Sequence, residues 1–156
     1  MQISQSNKKS AGLPEPDDFA PYTGRDVAEP QRRTLSQLDI TKASVGPKDN
    51  NAYLLECRST GGSLLIDAAA EPETLLALLA GRRPRYIVTT HRHADHWQAL
   101  RSVRELTGAR SVAHRWDAPA IDAPIDLAVE EGDALRFGEA ELEVIHLVGH
   151  TPGSIA

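Results

Sequence analysis

Thr90-His-Arg-His-Ala-Asp-His-Trp97 places four metal-type ligands, His91, His93, Asp95 and His96, within six residues, in the order H-x-H-x-D-H. Imidazole and carboxylate are side chains that bind Zn²⁺ or Fe²⁺ well. In front of this stretch, Arg85-Tyr-Ile-Val-Thr-Thr90 is a β-branched run that reads as a buried strand. Behind it, Trp97, Leu100, Val103 and Leu106 recur at helical spacing, which predicts a helix over Asp95 to Leu106. The ligands then sit on the turn leaving the carboxyl end of a strand, where open α/β sheets place their sites. Residues two apart in an extended segment share a face, so His91 and His93 can face one metal together. Asp95 and His96 fall where the chain turns and would face a second position. One metal needs at least three protein ligands and an open place for water or substrate. A further ligand must come from elsewhere, and His150 is the candidate. It lies in the tight turn Gly149-His-Thr-Pro-Gly-Ser154, after an expected strand that ends at Val148.

Together the two motifs resemble the metallo-β-lactamase-fold hydrolase superfamily, whose hallmarks are an H-x-H-x-D-H loop and a later G-H-T-P-G-S turn. The resemblance runs from about Leu35 to Ala156. It includes Asn51-Ala-Tyr-Leu-Leu55, Gly62-Ser-Leu-Leu-Ile-Asp67 and Gly132-Asp133. By motif it is similar to the hydroxyacylglutathione hydrolase branch. The fold this implies is α+β, an αββα sandwich. Members continue past the G-H-T-P-G-S turn with a bridging Asp and a final metal-binding His, for which this chain has no counterpart in order. About the first half of the fold is therefore expected here. The expected consequence is an uncovered apolar sheet face and an unpaired edge strand, and with them either poor solubility or dependence on a second chain, of which a homo-oligomer is one form.

The resemblance implies a metal site of His91, His93 and His150, with Asp95 and His96 serving a second metal. The expected cofactor is one or two Zn²⁺, with Fe²⁺ as the alternative. Asp95 is also the expected catalytic residue, orienting the attacking water or taking its proton. The implied activity is metal-dependent hydrolysis of small esters, thioesters or lactones. Two other readings stay open: a mononuclear iron persulfide dioxygenase of the same fold, and a non-catalytic fragment.

Length and composition are compatible with this. The 156 residues suggest one domain, and 40% hydrophobic with 25% charged residues is ordinary for a globular chain. The net charge of −5 argues against a nucleic-acid surface, and no apolar run approaches a membrane span. A small-molecule substrate is the expected partner. The single cysteine, Cys57, permits no internal disulfide and suits the cytoplasm. It reads as a small buried side chain.

Residues 1–33, broken by Pro14, Pro16, Pro21 and Pro30, read as a flexible arm, and 34–156 as the domain. Thr34 to Val45 reads as one opening strand. Ala52 to Cys57 and Ser63 to Ile66 read as a hairpin around Thr60-Gly-Gly62, and Pro72 to Ala80 as a helix stopped by Gly81. A strand over Arg110 to Ala113 and a short helix over Trp116 to Ile121 follow. Leu127 to Glu130, Ala134 to Phe137 and Glu141 to Val148 read as successive antiparallel strands. Asp67 is either a strand-end carboxylate or, as the resemblance implies, the residue beneath the metal site that holds the ligand loop. His114 reads as a surface or supporting histidine and Trp97 as a packing residue. His146 shares a face with His150 if the segment is a strand, but is assigned no metal.

Overall fold

The computed structural model describes residues 30–156. Seven strands form one sheet in sequence order: β1 (Gln31–Thr34), β2 (Leu38–Val45), β3 (Asn50–Cys57), β4 (Ser63–Ile66), β5 (Tyr86–Thr89), β6 (Arg110–His114) and β7 (Leu127–Val129). Strands β1 to β4 pair antiparallel, and β4 to β7 pair parallel. Helix α1 (Pro72–Leu79) crosses from β4 to β5, and α2 (Leu100–Thr107) from β5 to β6. The strands β8 (Ala134–Phe137) and β9 (Ala140–Glu143) form a separate antiparallel hairpin.

Strand alternation sends successive side chains to opposite faces. Leu54, Leu65, Ile87 and Ala113 join Leu75, Leu79, Leu100 and Val103 of the helices in one core. Leu55, Leu64, Val88 and Val112 join Leu135, Phe137 and Ala140 of the β8–β9 hairpin in a second. Each fully buried leucine is worth about 1.5–3 kcal/mol relative to exposure, so both layers anchor the sheet between them. The second face is therefore partly covered. Trp116, Ile145, Leu147 and Val148 remain exposed near the carboxyl end. No helix among the described residues is long and apolar enough to cross a membrane.

The chain departs from the sequence expectations at several places. The opening strand is two strands, because Leu35 N–H bonds Leu38 C=O (2.7 Å) and reverses the chain between β1 and β2. Residues 31–33 of the expected arm thus belong to the sheet, and 1–29 lie outside the described residues. Ala80, not Gly81, takes the left-handed cap of α1 (φ 48°). The helix expected from Asp95 begins only at Leu100, after a 3₁₀ turn over Ala94–His96. Strand β7 is parallel to β6, since the connection from Arg115 to Asp126 is long enough for a crossover. The expected strand to Val148 ends at Glu143, where its partner β8 runs out at Ala134. Residues 145–147 instead bond 154–156, with the bridge His146↔Ile155, so Gly149–Ser154 is a hairpin tip.

Parallel strands all end at the same edge of a sheet. Asp67 follows β4, Thr90 to His96 follow β5, and Asp117 lies three residues beyond β6. The topology alone therefore gathers these groups at one edge. Ile155 N–H donates to Thr90 C=O (2.9 Å) and brings the hairpin tip to the same place.

Candidate metal centre

Three imidazoles converge at this edge. His93 Nδ1 lies 3.0 Å from His150 Nε2, and His150 Nε2 lies 3.2 Å from His91 Nε2. One ligand atom from each of the three lies within 4.8 Å of the others. His91 is buried, while His93 and His150 face solvent, which leaves an approach from outside.

The partners of His91 determine its tautomer. Thr90 Oγ1–H donates to Asp67 Oδ2 (2.8 Å), so its only proton is committed. Thr90 Oγ1 must then accept from His91 Nδ1–H (3.0 Å), which leaves His91 Nε2 with a bare lone pair aimed at His150. His150 Nε2 now stands between two ring nitrogens with at most one proton. Neutral rings satisfy only one of the two contacts. A shared cation satisfies all three lone pairs. In a tetrahedral site with metal–nitrogen distances of about 2.0–2.1 Å, ligand nitrogens lie about 3.3 Å apart. The separations of 3.0 and 3.2 Å are close to that, so these residues fit a divalent metal.

Asp67 is the anchor beneath the centre. Its carboxylate accepts from Thr90 N–H (2.8 Å), from Thr90 Oγ1 and from His96 Nδ1–H (2.8 Å), so it does hold the ligand loop. Its own backbone is left-handed (φ 54°). His96 Nδ1 is thus occupied, and Asp67 raises the His96 pKa above the ordinary value. Its ring lies beside that of His91, with centroids 4.0 Å apart. Burial, followed by the neighbouring imidazoles, lowers the His91 pKa to about 4, which keeps the ring neutral and ready to coordinate.

Asp95 makes its hydrogen bonds to partners other than the three converging rings. Its Oδ2 accepts from Asn50 Nδ2 (3.2 Å) and Lys48 Nζ (3.3 Å), while Asn50 also donates to its carbonyl (2.7 Å). The Asn50 bond, then Lys48, lowers its pKa to about 2, so it stays ionised. Trp97 packs against the helical core and donates Nε1–H to Arg92 C=O (2.9 Å), as expected for a packing residue. His114 is buried rather than on the surface. It stacks on His146, with centroids 4.2 Å apart, and His146 Nε2 bonds Pro152 C=O (2.8 Å). Cys57 is buried in β3, in line with its reading as a small buried side chain.

Two residues escaped the sequence reading. Asn50 carries no signal beyond turn chemistry. Asp117 sits far from every candidate ligand in sequence, yet its carboxylate bonds Arg92 N–H (2.9 Å), Gly153 N–H (2.9 Å) and Thr151 Oγ1. The signal that would have found it is its place just past the end of a parallel strand.

Comparison with known proteins shows the family and the fold. The chain is 38% identical over 123 residues to a hydroxyacylglutathione hydrolase of Rhodospirillum rubrum, covering 78% of this chain and 47% of that one. It is 41% identical over 110 residues to a hydroxyacylglutathione hydrolase of Fuscovulum blasticum, covering 70% and 43%. The chain thus spans about half the length of the curated relatives it matches. Among solved structures, TTHA1623 in a di-iron-bound form superposes with TM-score 0.63 at 34% identity, covering 73% of this chain and 64% of that one. The BLEG-1 B3 metallo-beta-lactamase shares the fold, with TM-score 0.67 at 24% identity over 74% and 65%. The profile of the metallo-beta-lactamase superfamily matches residues 45–156, and the chain belongs to that superfamily.

Proposed function

We propose that this chain supplies the metal-binding portion of a cytoplasmic metal-dependent hydrolase acting on small thioesters, esters or lactones. The observation that carries the reading is the convergence of His91 Nε2, His93 Nδ1 and His150 Nε2. The likeness to hydroxyacylglutathione hydrolases favours a thioester of glutathione within that class. A divalent metal bound there would lower the pKa of a water and polarise the substrate carbonyl. The chain's own residues do the rest. His91, His93 and His150 hold the metal. Asp67 and Thr90 fix the tautomer and aim of His91. Ionised Asp95, at the rim, would orient the attacking water, and with His96 Nε2 it would offer ligands to a second ion. Zinc is the first choice of metal. Iron is the second, favoured by the di-iron-bound relative, because imidazole accepts either.

The test is metal content by elemental analysis, with hydrolysis of a hydroxyacylglutathione thioester followed before and after chelation. Bound zinc with chelator-sensitive hydrolysis is the expected result. Iron with oxygen uptake on glutathione persulfide would replace the hydrolase by a dioxygenase. A chain that takes up no metal would end both readings.

A further inference from the structure

Asp117 is fully buried, and its carboxylate reaches both loops that carry the converging histidines. Oδ2 accepts from the N–H of Arg92, the residue between His91 and His93 (2.9 Å). The same oxygen accepts from Thr151 Oγ1–H, and Oδ1 accepts from Gly153 N–H (2.9 Å), both just past His150. We propose that Asp117 is a positioning residue that sets the distance of His150 from His91 and His93, and through it the metal affinity of the centre. The proposal rests on the metal-centre reading above.

The two loops have separate origins. One leaves β5 in the seven-stranded sheet, and the other is the tip of a hairpin outside it. Their relative position is therefore not set by the ladder of either. Ile155 N–H to Thr90 C=O ties the base of the tip, five residues past His150. Asp117 ties the tip itself. Contact there is close: a Cβ on Gly153 would lie 2.8 Å from Asp117 Cγ, so glycine lets the turn close on the carboxylate. From the other side His146 bonds Pro152 C=O, so the turn is gripped at 151, 152 and 153 in succession.

Removing the carboxylate leaves the Arg92 and Gly153 N–H groups without their acceptor, while the Thr151 hydroxyl keeps only Ser154 Oγ (2.7 Å). Such groups are costly unless water or movement relieves them. Movement of the turn would carry His150 away from the other two rings. Asparagine has one acceptor oxygen where aspartate has two. Placed at the Oδ2 position it keeps Arg92 and Thr151 but turns its amide on Gly153 N–H. Placed at Oδ1 it keeps Gly153 but turns its amide on Arg92 N–H. Asp117→Asn should therefore fall between the parent and Asp117→Ala.

The experiment is a Co²⁺ titration of the 156-residue chain, reading affinity by competition and coordination by visible absorption. Urea unfolding of the metal-free chain runs alongside. Asp117→Asn is expected to weaken Co²⁺ binding about 10-fold and Asp117→Ala about 100-fold, the range for groups that orient metal ligands. The absorption bands should change in shape as well as intensity. Variants that lose stability when metal-free yet keep the parent affinity and spectrum would overturn the proposal, because only a general structural role would remain. Should Asp117→Ala fail to fold, Asp117→Asn and Thr151→Val, which removes one of the three bonds, make the same comparison. A parent chain that binds no Co²⁺ would instead overturn the metal-centre reading, and this proposal with it.

Discussion

The two ends of the H-x-H-x-D-H loop both carry metal-type side chains, two histidines at one and an aspartate and a histidine at the other, and they have different fates. His91 and His93 lie on the bend that leaves β5 and meet His150 at 3.2 and 3.0 Å. Asp95 and His96 lie on the 3₁₀ turn and answer to other partners, Asn50 and Lys48 for one and Asp67 for the other. Spacing in a motif brings backbones to one neighbourhood. The hydrogen-bond partners then decide where each side chain aims.

The largest expected effect falls on the first end. His91→Ala or His93→Ala should weaken metal binding by more than about 100-fold, beyond the range for orienting groups. His96→Ala should weaken the first bound ion far less. Equal losses measured by competition titration in all three variants would erase the distinction between the two ends.

Asp67→Ala should destabilise the metal-free chain by about 2 kcal/mol, because Thr90 N–H and His96 Nδ1–H lose a buried acceptor. Urea unfolding measures this. A change below about 0.5 kcal/mol would mean the ligand loop holds itself without the anchor.

The two ends should also respond oppositely to pH. His91 is held near pKa 4, below its ordinary 6.5, so between these values the unfolded chain binds more protons than the folded one. Its contribution to stability is therefore present at neutral pH and lost as pH falls through that window. His96 is raised, so its contribution is full below the ordinary value and fades as pH rises through its folded pKa. An NMR titration of the metal-free chain should find His96 still protonated where His91 is already neutral. Coincident titrations would break the comparison.

The smallest effect belongs to Lys48→Ala. The Lys48–Asp95 pair is largely solvated on the lysine side and should contribute less than about 1 kcal/mol. Asn50→Ala should release the Asp95 carboxyl further than Lys48→Ala does, since Asn50 is the larger cause of its depression. A carboxyl titration by NMR orders the two.

Much of this was legible in the sequence. The β-branched run before Thr90 predicted a strand with His91 and His93 just past its carboxyl end, and β5 ends at Thr89. His150 was legible as a third donor because Gly149, Pro152 and Gly153 mark a tight turn. The aim of Asp95 was not legible, because it depends on Asn50, 45 residues earlier in the chain. Asp117 was hidden for the same reason. Its partners are 25 to 36 residues away, joined only when parallel strands share an edge. The late start of α2 was missed because periodicity in Trp97, Leu100 and Val103 does not tell a 3₁₀ turn from the first turn of an α-helix.

Asp67 carries a further consequence. Its backbone sits in the left-handed region, which costs an ordinary L residue roughly 1 kcal/mol and which Asp, Asn and Gly tolerate best. Its side chain must also be a short carboxylate with two acceptor oxygens, to serve Thr90 and His96 at once. Glycine would meet the first demand and fail the second. Glutamate would keep the charge but carry a longer arm on a backbone that resists it. The exit from β4 is thus a place where ease of folding and command of the metal loop compete for a single side chain, and aspartate answers both.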